Sequence, residues 1–273
     1  MLTFEETVKH FNEMDKLPFL ISIPHGGESI PPEIAEDICI TPKDQFDDSD
    51  SFTNIIYNVK DLAEEQVRST IARAFVDNSR GRNQLPPEYP DGLIKSATCY
   101  NRPIYKEGKQ PNNRITSLLI DKYYSSYHQR IESALLNPKV ILALDCHSMA
   151  EIAPEVSPDR GNERPLINLG DAEGTACRSE ITEWLRDCFI EVFGFSEEAV
   201  TINEPFKGGF ITRNYGNNPT PWIQIEMNRK LYLSQEYFNH ATLQMKGNRL
   251  DELNEKFREV LYQFHRSLRD YLK

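Results

Sequence analysis

The stretch FLISIPHGGESIP, residues 19–31, opens as an apolar run suited to a buried strand and breaks off at Pro24-His25-Gly26-Gly27-Glu28. In open α/β sheets, ligands and catalytic groups collect where strands end and irregular backbone opens a crevice. A second run of the same kind, VILALDC at 140–146, also ends on a histidine, His147. Two imidazoles at two strand ends point to a shared site, whereas a single one would read more simply as a hydrogen-bonded structural residue.

Further short apolar runs at 69–76, 165–169, 200–202 and 222–225 predict strands. The segments between them carry helical period, with helices expected at 52–65, 115–136, 171–192, 235–245 and about 250–271, and with Asp171 as an N-cap. The alternation reads as an α/β fold. Two stretches rich in turn residues, 81–113 and 149–163, are expected to be functional loops within one domain spanning 1–273.

Composition narrows the function. Lys plus Arg total 31 against 42 Asp plus Glu, a net charge of -11, which argues against nucleic acid or anionic membrane as a partner. The five cysteines are scattered, with neither a disulfide framework nor a thiolate metal site in view. The charged, amphipathic start, 1–16, is no export signal, and no run approaches the roughly 20 apolar residues that span a bilayer. A cytoplasmic protein is expected.

A catalytic zinc commonly takes three protein ligands from His, Asp or Glu and leaves one position open. With His25 and His147 as two of them, the third is a carboxylate. Glu28 offers an H-x-x-E spacing, with Gly26 and Gly27 letting the loop fold tightly. The acidic cluster DQFDDSDSF, 44–52, offers Asp47, Asp48 or Asp50, although such clusters also serve helix starts. Asp145 lies two residues before His147 and shares its strand face, where it can orient the imidazole. Glu226, in WIQIEMNRKLY at 222–232, is suited to general acid-base work, the plainer alternative being an ion pair with a nearby arginine such as Arg229. IARAFVDNSRGR, 71–82, supplies Arg73 and Arg80 as forks for a substrate carboxylate. EPFKGGFITRNYG, 204–216, places Lys207, Gly209 and Arg213 around a glycine turn able to close over an anion.

In this order, SIPHGGESIP, DDSDSFT, ARAFVDNSRG, LDCHSM, PFKGGFITRNYG and IQIEMNRKLY resemble the N-formylglutamate amidohydrolase family over nearly the whole chain, as does YYSSYHQRIE, 123–132. The resemblance implies a central mixed sheet flanked by helices, related to zinc carboxypeptidases, and one zinc per chain on His25 and His147. It favours Asp50 as the carboxylate ligand, with Glu28 as rival. Glu226 is then the general acid and base, and Arg80, helped by Arg73, the substrate anchor. The chain departs from the family at Ser79, where an asparagine is expected. The implied activity is hydrolysis of a small anionic N-acyl amino acid, with N-formyl-L-glutamate as type substrate and histidine catabolism as the setting. The rivals are a carboxypeptidase-like metallopeptidase and a non-catalytic binding protein. A serine hydrolase built on Ser148 lacks the G-x-S-x-G elbow.

Overall fold

The computed structural model describes residues 16–271. The segment 1–15, with most of the amphipathic start and His10, lies outside the described residues. The frame is a six-stranded sheet of β1 (Leu17–Ile23), β2 (Ala63–Arg68), β3 (Leu142–Met149), β4 (Ile167–Gly170), β5 (Val200–Ile202) and β6 (Trp222–Asn228), in the order β2-β1-β3-β6-β4-β5. The first four strands in that order run parallel. β4 is antiparallel to β6 and parallel to β5, so the sheet is mixed, as expected.

The helices are α1 (Pro42–Asp48), α2 (Thr53–Ile56), α3 (Asn113–Leu119), α4 (Ser125–Leu135), α5 (Ser179–Phe193), α6 (Phe210–Tyr215), α7 (Lys230–Leu233) and α8 (Arg249–Tyr271). A π-helical turn, Ile120–Tyr124, joins α3 to α4. On α8, Leu253, Phe257, Val260, Leu261, Phe264 and Leu268 repeat with helical period and bury one stripe. That stripe and the inner side of α5 cover the sheet face formed by Phe19, Ile21, Leu144, Cys146, Ile223 and Ile225.

The opposite face positions the site. Side chains alternate along a strand, so Leu20, Ala143 and Trp222 share this second face and pack under Tyr127 and Ile131 of α4 and Ile211 of α6. Two residues further along each strand the same face carries Ser22, Asp145 and Gln224, with Ser22 opposite Asp145 and Asp145 opposite Gln224. Two further on again come His147 and Glu226, also opposite each other. Toward the carboxyl ends of the strands, one sheet face thus changes from apolar to ionisable.

Four expectations are corrected. The helix expected at 52–65 stops at Ile56, and the edge strand β2 takes 63–68 in place of the strand expected at 69–76. An edge strand needs only one buried side, so the half-exposed Glu64, Glu65 and Gln66 conceal it. The apolar residues at 71–76 bury instead as turns in a separate cluster with Leu93, Ile104 and Tyr124. The helix expected at 171–192 begins at Ser179, because the Asp171 carboxylate accepts from Gly174 N–H and Asn203 Nδ2 and closes a turn. The helix expected at 235–245 is a hairpin of β7 (Phe238–Asn239) and β8 (Gln244–Met245), turned by Asn239 Oδ1 accepting from the N–H groups of Ala241 and Thr242. The helical span 113–135, the strands β3 to β6, and α8 lie where expected, and 81–113 and 149–163 form no regular element beyond the end of β3 and the first residue of α3.

Candidate active site and metal centre

β1 delivers His25. The chain leaves Ile23, turns at Pro24 and passes so close to its neighbour that a Cβ on Gly27 would sit 2.4 Å from the carbonyl oxygen of Ile71. Glycine is required there for approach and not for an unusual φ. Asp50 comes from the segment between α1 and α2. Its N–H donates to His25 O at 3.3 Å, and Phe52, two residues on, sits in the left-handed region at φ 67°. A bulky residue held in that conformation costs energy that its aromatic contacts with Phe46 and Phe238 must offset.

Three atoms meet in this corner. His25 Nδ1 lies 3.1 Å from His147 Nδ1 and 3.3 Å from Asp50 Oδ2, and His147 Nδ1 lies 3.2 Å from the same oxygen. Behind each ring stands a second carboxylate. His25 Nε2 is 2.7 Å from Asp77 Oδ1, and His147 Nε2 is 3.1 Å from Asp145 Oδ2, an ionic contact poorly aligned for a hydrogen bond. Carboxylates behind Nε2 favour the proton there, so both Nδ1 lone pairs converge on Asp50 Oδ2 with no proton left to separate them. A cation resolves that repulsion. A tetrahedral ion with bonds of roughly 2.0–2.1 Å holds its ligands roughly 3.3 Å apart, which the three measured separations match. Among the described residues, His25, Asp50 and His147 are the group of three able to hold a metal.

The surrounding electrostatics support that geometry. Burial opposes ionisation of Asp50, but the close imidazoles of His147 and His25 hold its carboxyl well below the ordinary range. Its other oxygen accepts from Arg229 Nη2 at 3.1 Å, and Arg229 is further bonded to Asp47 O and Ser148 Oγ. Asp77 is fully buried, which again opposes ionisation; Arg80, His25 and Arg73 overcome this and keep it well below its usual value. Glu226 moves the other way, its pKa raised chiefly by burial. The arginine that might have paired with it, Arg229, is turned to Asp50. Glu226 Oε1 instead accepts from Gln224 Nε2 at 2.5 Å, and Gln224 Oε1 accepts from Gly209 N–H.

A cavity of about 510 Å³ opens over this corner. His25, Asp50, His147, Glu226, Arg73, Arg80, Lys207, Gly209 and Arg213 all line it. Glu28 does not: its side chain is exposed, and its N–H donates to Thr70 O. The cations differ in freedom. Arg73 is committed to Asp77 and to Asp48 O, and Arg80 to Asp91, while Lys207 pairs with Glu173 in solvent. Arg213 is exposed, with its Nε donating to Gly208 O at 2.7 Å.

Other contributors have no role in the site assigned from the sequence, although Tyr124 and His128 lie in the stretch YYSSYHQRIE. The Tyr124 hydroxyl donates to Arg80 O at 3.0 Å, and His128, one turn on with its ring tilted against the tyrosine at 4.2 Å between centroids, places Nε2 3.0 Å from Asn78 O. Together they clamp the backbone that carries Asp77 and Arg80. Gln224 was hidden, its signal being its spacing of two from Glu226 on one strand face; Arg229 stands out in the sequence only as a partner for Glu226 and instead holds Asp50.

A family model, N-formylglutamate amidohydrolase, matches residues 17–233. The chain belongs to the N-formylglutamate amidohydrolase family. Among curated proteins it is 28% identical over 233 residues to an N-formylglutamate deformylase of Pseudomonas aeruginosa, covering 81% of this chain and 84% of that one. A namesake from Pseudomonas putida is 26% identical over 230 residues, 81% of this chain and 83% of that protein. The crystal structure of an N-formylglutamate amidohydrolase from Ralstonia eutropha JMP134 superposes with a TM-score of 0.77 at 21% identity, covering 94% of this chain and 96% of that one. That likeness establishes the amidohydrolase fold for this chain. Every residue of the convergent corner lies inside the span matched by the family model.

Proposed function

We propose that the protein is a zinc-dependent amidohydrolase that converts N-formyl-L-glutamate to formate and L-glutamate, acting as one catalytic domain. The observation that carries this reading is the meeting of two Nδ1 atoms and one carboxylate oxygen at 3.1–3.3 Å beneath a cavity rich in cations. The names of the curated relatives point to the same substrate. His25, His147 and Asp50 would hold the zinc, Asp50 being chosen over the exposed Glu28. When bound, zinc supplies a Lewis acid that polarises the formyl oxygen and acidifies a water molecule.

The chain's own residues do the rest. Glu226, with its raised pKa, accepts the proton of the attacking water and returns it to the departing amine, a task that suits a carboxyl titrating closer to neutrality. Gln224 holds one Glu226 oxygen, directing the other at the reacting atoms. Arg80 and Arg213 are assigned to the substrate carboxylates, while Arg73 acts at one remove by fixing Asp77. The Gly208-Gly209 turn, carrying Lys207, closes over the bound anion. A cytoplasmic setting agrees with five unpaired cysteines and with the lack, among the described residues, of any helix long and apolar enough to cross a membrane.

The deciding experiment incubates purified protein of measured zinc content with N-formyl-L-glutamate and follows formate. Release that scales with zinc occupancy is expected; zinc-loaded protein that releases none would end the proposal.

A further inference from the structure

The carboxylate assigned to acid-base work is tied by two hydrogen bonds to the segment assigned to the substrate. Gly209 N–H donates to Gln224 Oε1, and Gln224 Nε2 donates to Glu226 Oε1 at 2.5 Å. A backbone N–H can only donate, so Gln224 must present its oxygen to Gly209 and its amide nitrogen to Glu226. That nitrogen in turn can only donate. Glu226 Oε1 is thereby kept as the accepting, carbonyl-like oxygen, and a proton taken from water belongs on Oε2. Were the amide turned end for end, its oxygen would face Glu226 and draw the proton onto Oε1 instead.

The amide keeps its sense only while the Gly209 N–H stays in place. Gly209 caps the start of α6, packed so closely that a Cβ there would lie 2.9 Å from Ser79 Oγ and 3.4 Å from Gln224 Oε1. Arg213, one turn into α6, donates from Nε to Gly208 O at 2.7 Å. Gly208 O and Gly209 N–H belong to one peptide unit, which is planar and turns as a whole. Arg213 thus grips the oxygen of the peptide whose N–H sets Gln224. Thr212 ties α6 to the sheet by donating to Asp145 Oδ2 at 3.2 Å. An anion bound by Arg213 fixes that guanidinium, and with it the peptide plane and the amide beyond.

We propose that Gln224 is a positioning residue through which anion binding at Arg213 selects the proton-bearing oxygen of Glu226, so that the substrate carboxylate contributes to kcat and not to KM alone. The inference rests on the amidohydrolase reading above and adds a coupling between its two halves. In the reaction the water proton passes to Glu226 Oε2 as the water oxygen bonds to the acyl carbon, and from there to the amine nitrogen as the C–N bond breaks.

Steady-state kinetics on N-formyl-L-glutamate, with zinc per chain measured alongside, test it in the native protein, Arg213→Gln, Gln224→Met and the pair. Each single variant is expected to lower kcat by about tenfold or more, the scale of loss for a misplaced reacting group. Arg213→Gln raises KM as well, and zinc stays in all four proteins because its proposed ligands are untouched. The pair should show a kcat close to that of the slower single variant, whereas two independent losses would multiply to about 100-fold. Gln224→Asn, too short to reach both Gly209 and Glu226, takes the place of Gln224→Met if that variant does not fold. A multiplicative pair, an Arg213→Gln variant that raises KM with kcat unchanged, or zinc loss in the Gln224 variant overturns the coupling and leaves deformylation intact. No formate release by zinc-loaded native protein would overturn the amidohydrolase reading and the coupling with it.

Discussion

His147 and Glu226 face each other across β3 and β6, yet their replacement should have opposite effects on the metal. His147→Ala removes one of three proposed ligands, so zinc per chain, read by atomic absorption, should fall with activity; full zinc content would reassign the ligand. Glu226→Gln keeps the ligand set, so zinc should stay while kcat falls by about 100-fold or more, as for loss of a general acid-base group. Unchanged turnover would move the proton to another side chain. Which carboxylate joins the two histidines was open in the sequence, since H-x-x-E spacing and the acidic cluster both offered one. What separates Asp50 from Glu28 is the path of the chain: the approach of Gly27 to Ile71 leaves Glu28 in solvent, while the turn at Phe52 buries Asp50 beside both rings.

At the scale of elements, the helical span through α3 and α4 was legible from its period, but its π-turn was not. That turn sets the phase that carries Tyr124 and His128 to the carbonyls of Arg80 and Asn78. Tyr124→Phe removes one neutral hydrogen bond, worth about 1 kcal/mol, and loosens the Arg80 loop. KM for N-formyl-L-glutamate should therefore rise about fivefold with kcat nearly unchanged; a fall in kcat alone would show that the clamp serves the proton-transfer groups instead. His128 makes the same contact pH-sensitive. Burial lowers its pKa to about 4, against the raising influence of Asn78 O and Asp145. The unfolded chain, titrating near 6.5, then binds more protons between these values. The stability contributed by neutral His128 is complete above roughly pH 6.5 and is lost as pH falls toward 4, at up to about 1.4 kcal/mol per pH unit. Urea unfolding of metal-free protein at pH 7 and pH 5 should show this slope, and His128→Gln should flatten it. An equal slope in the variant would place the titrating group elsewhere.

Across the whole molecule, the site depends on a charge network linking the long loop at 81–113 to α1. Lys95 has a fully buried side chain and lies 2.9 Å from Asp48 Oδ2 and 2.6 Å from Asp91 Oδ1, while Asp91 in turn holds Arg80. Burial alone would raise the Asp48 pKa; Lys95 and Arg73 reverse that and bring it to about 2. Lys95→Met strands the Asp48 charge in the interior, so the unfolding free energy should drop by roughly 3–5 kcal/mol, with partial recovery in the Asp48→Asn, Lys95→Met pair. No recovery in the double variant would mean that the lysine matters for its packing rather than its charge. Nothing local marks Lys95 as buried: it sits between turn residues in a stretch that reads as surface loop, and only its partners, one of them 47 positions away, account for its place.

The sequence by itself determined the α/β class, five of the six sheet strands, the long helices and the two strand-end histidines, because apolar period and strand termination are local properties of the chain. Only the tertiary structure decided that Asp50 lies beside them, that Arg229 holds Asp50 and Asp77 holds His25, that β2 is an edge strand, that Asp171 closes a turn where a helix start was expected, and that Asn239 turns a hairpin inside an expected helix. His25 and His147 are 122 positions apart and Asp50 and His147 are 97 apart. Contacts of that range follow from strand order and register, which short-range pattern does not encode.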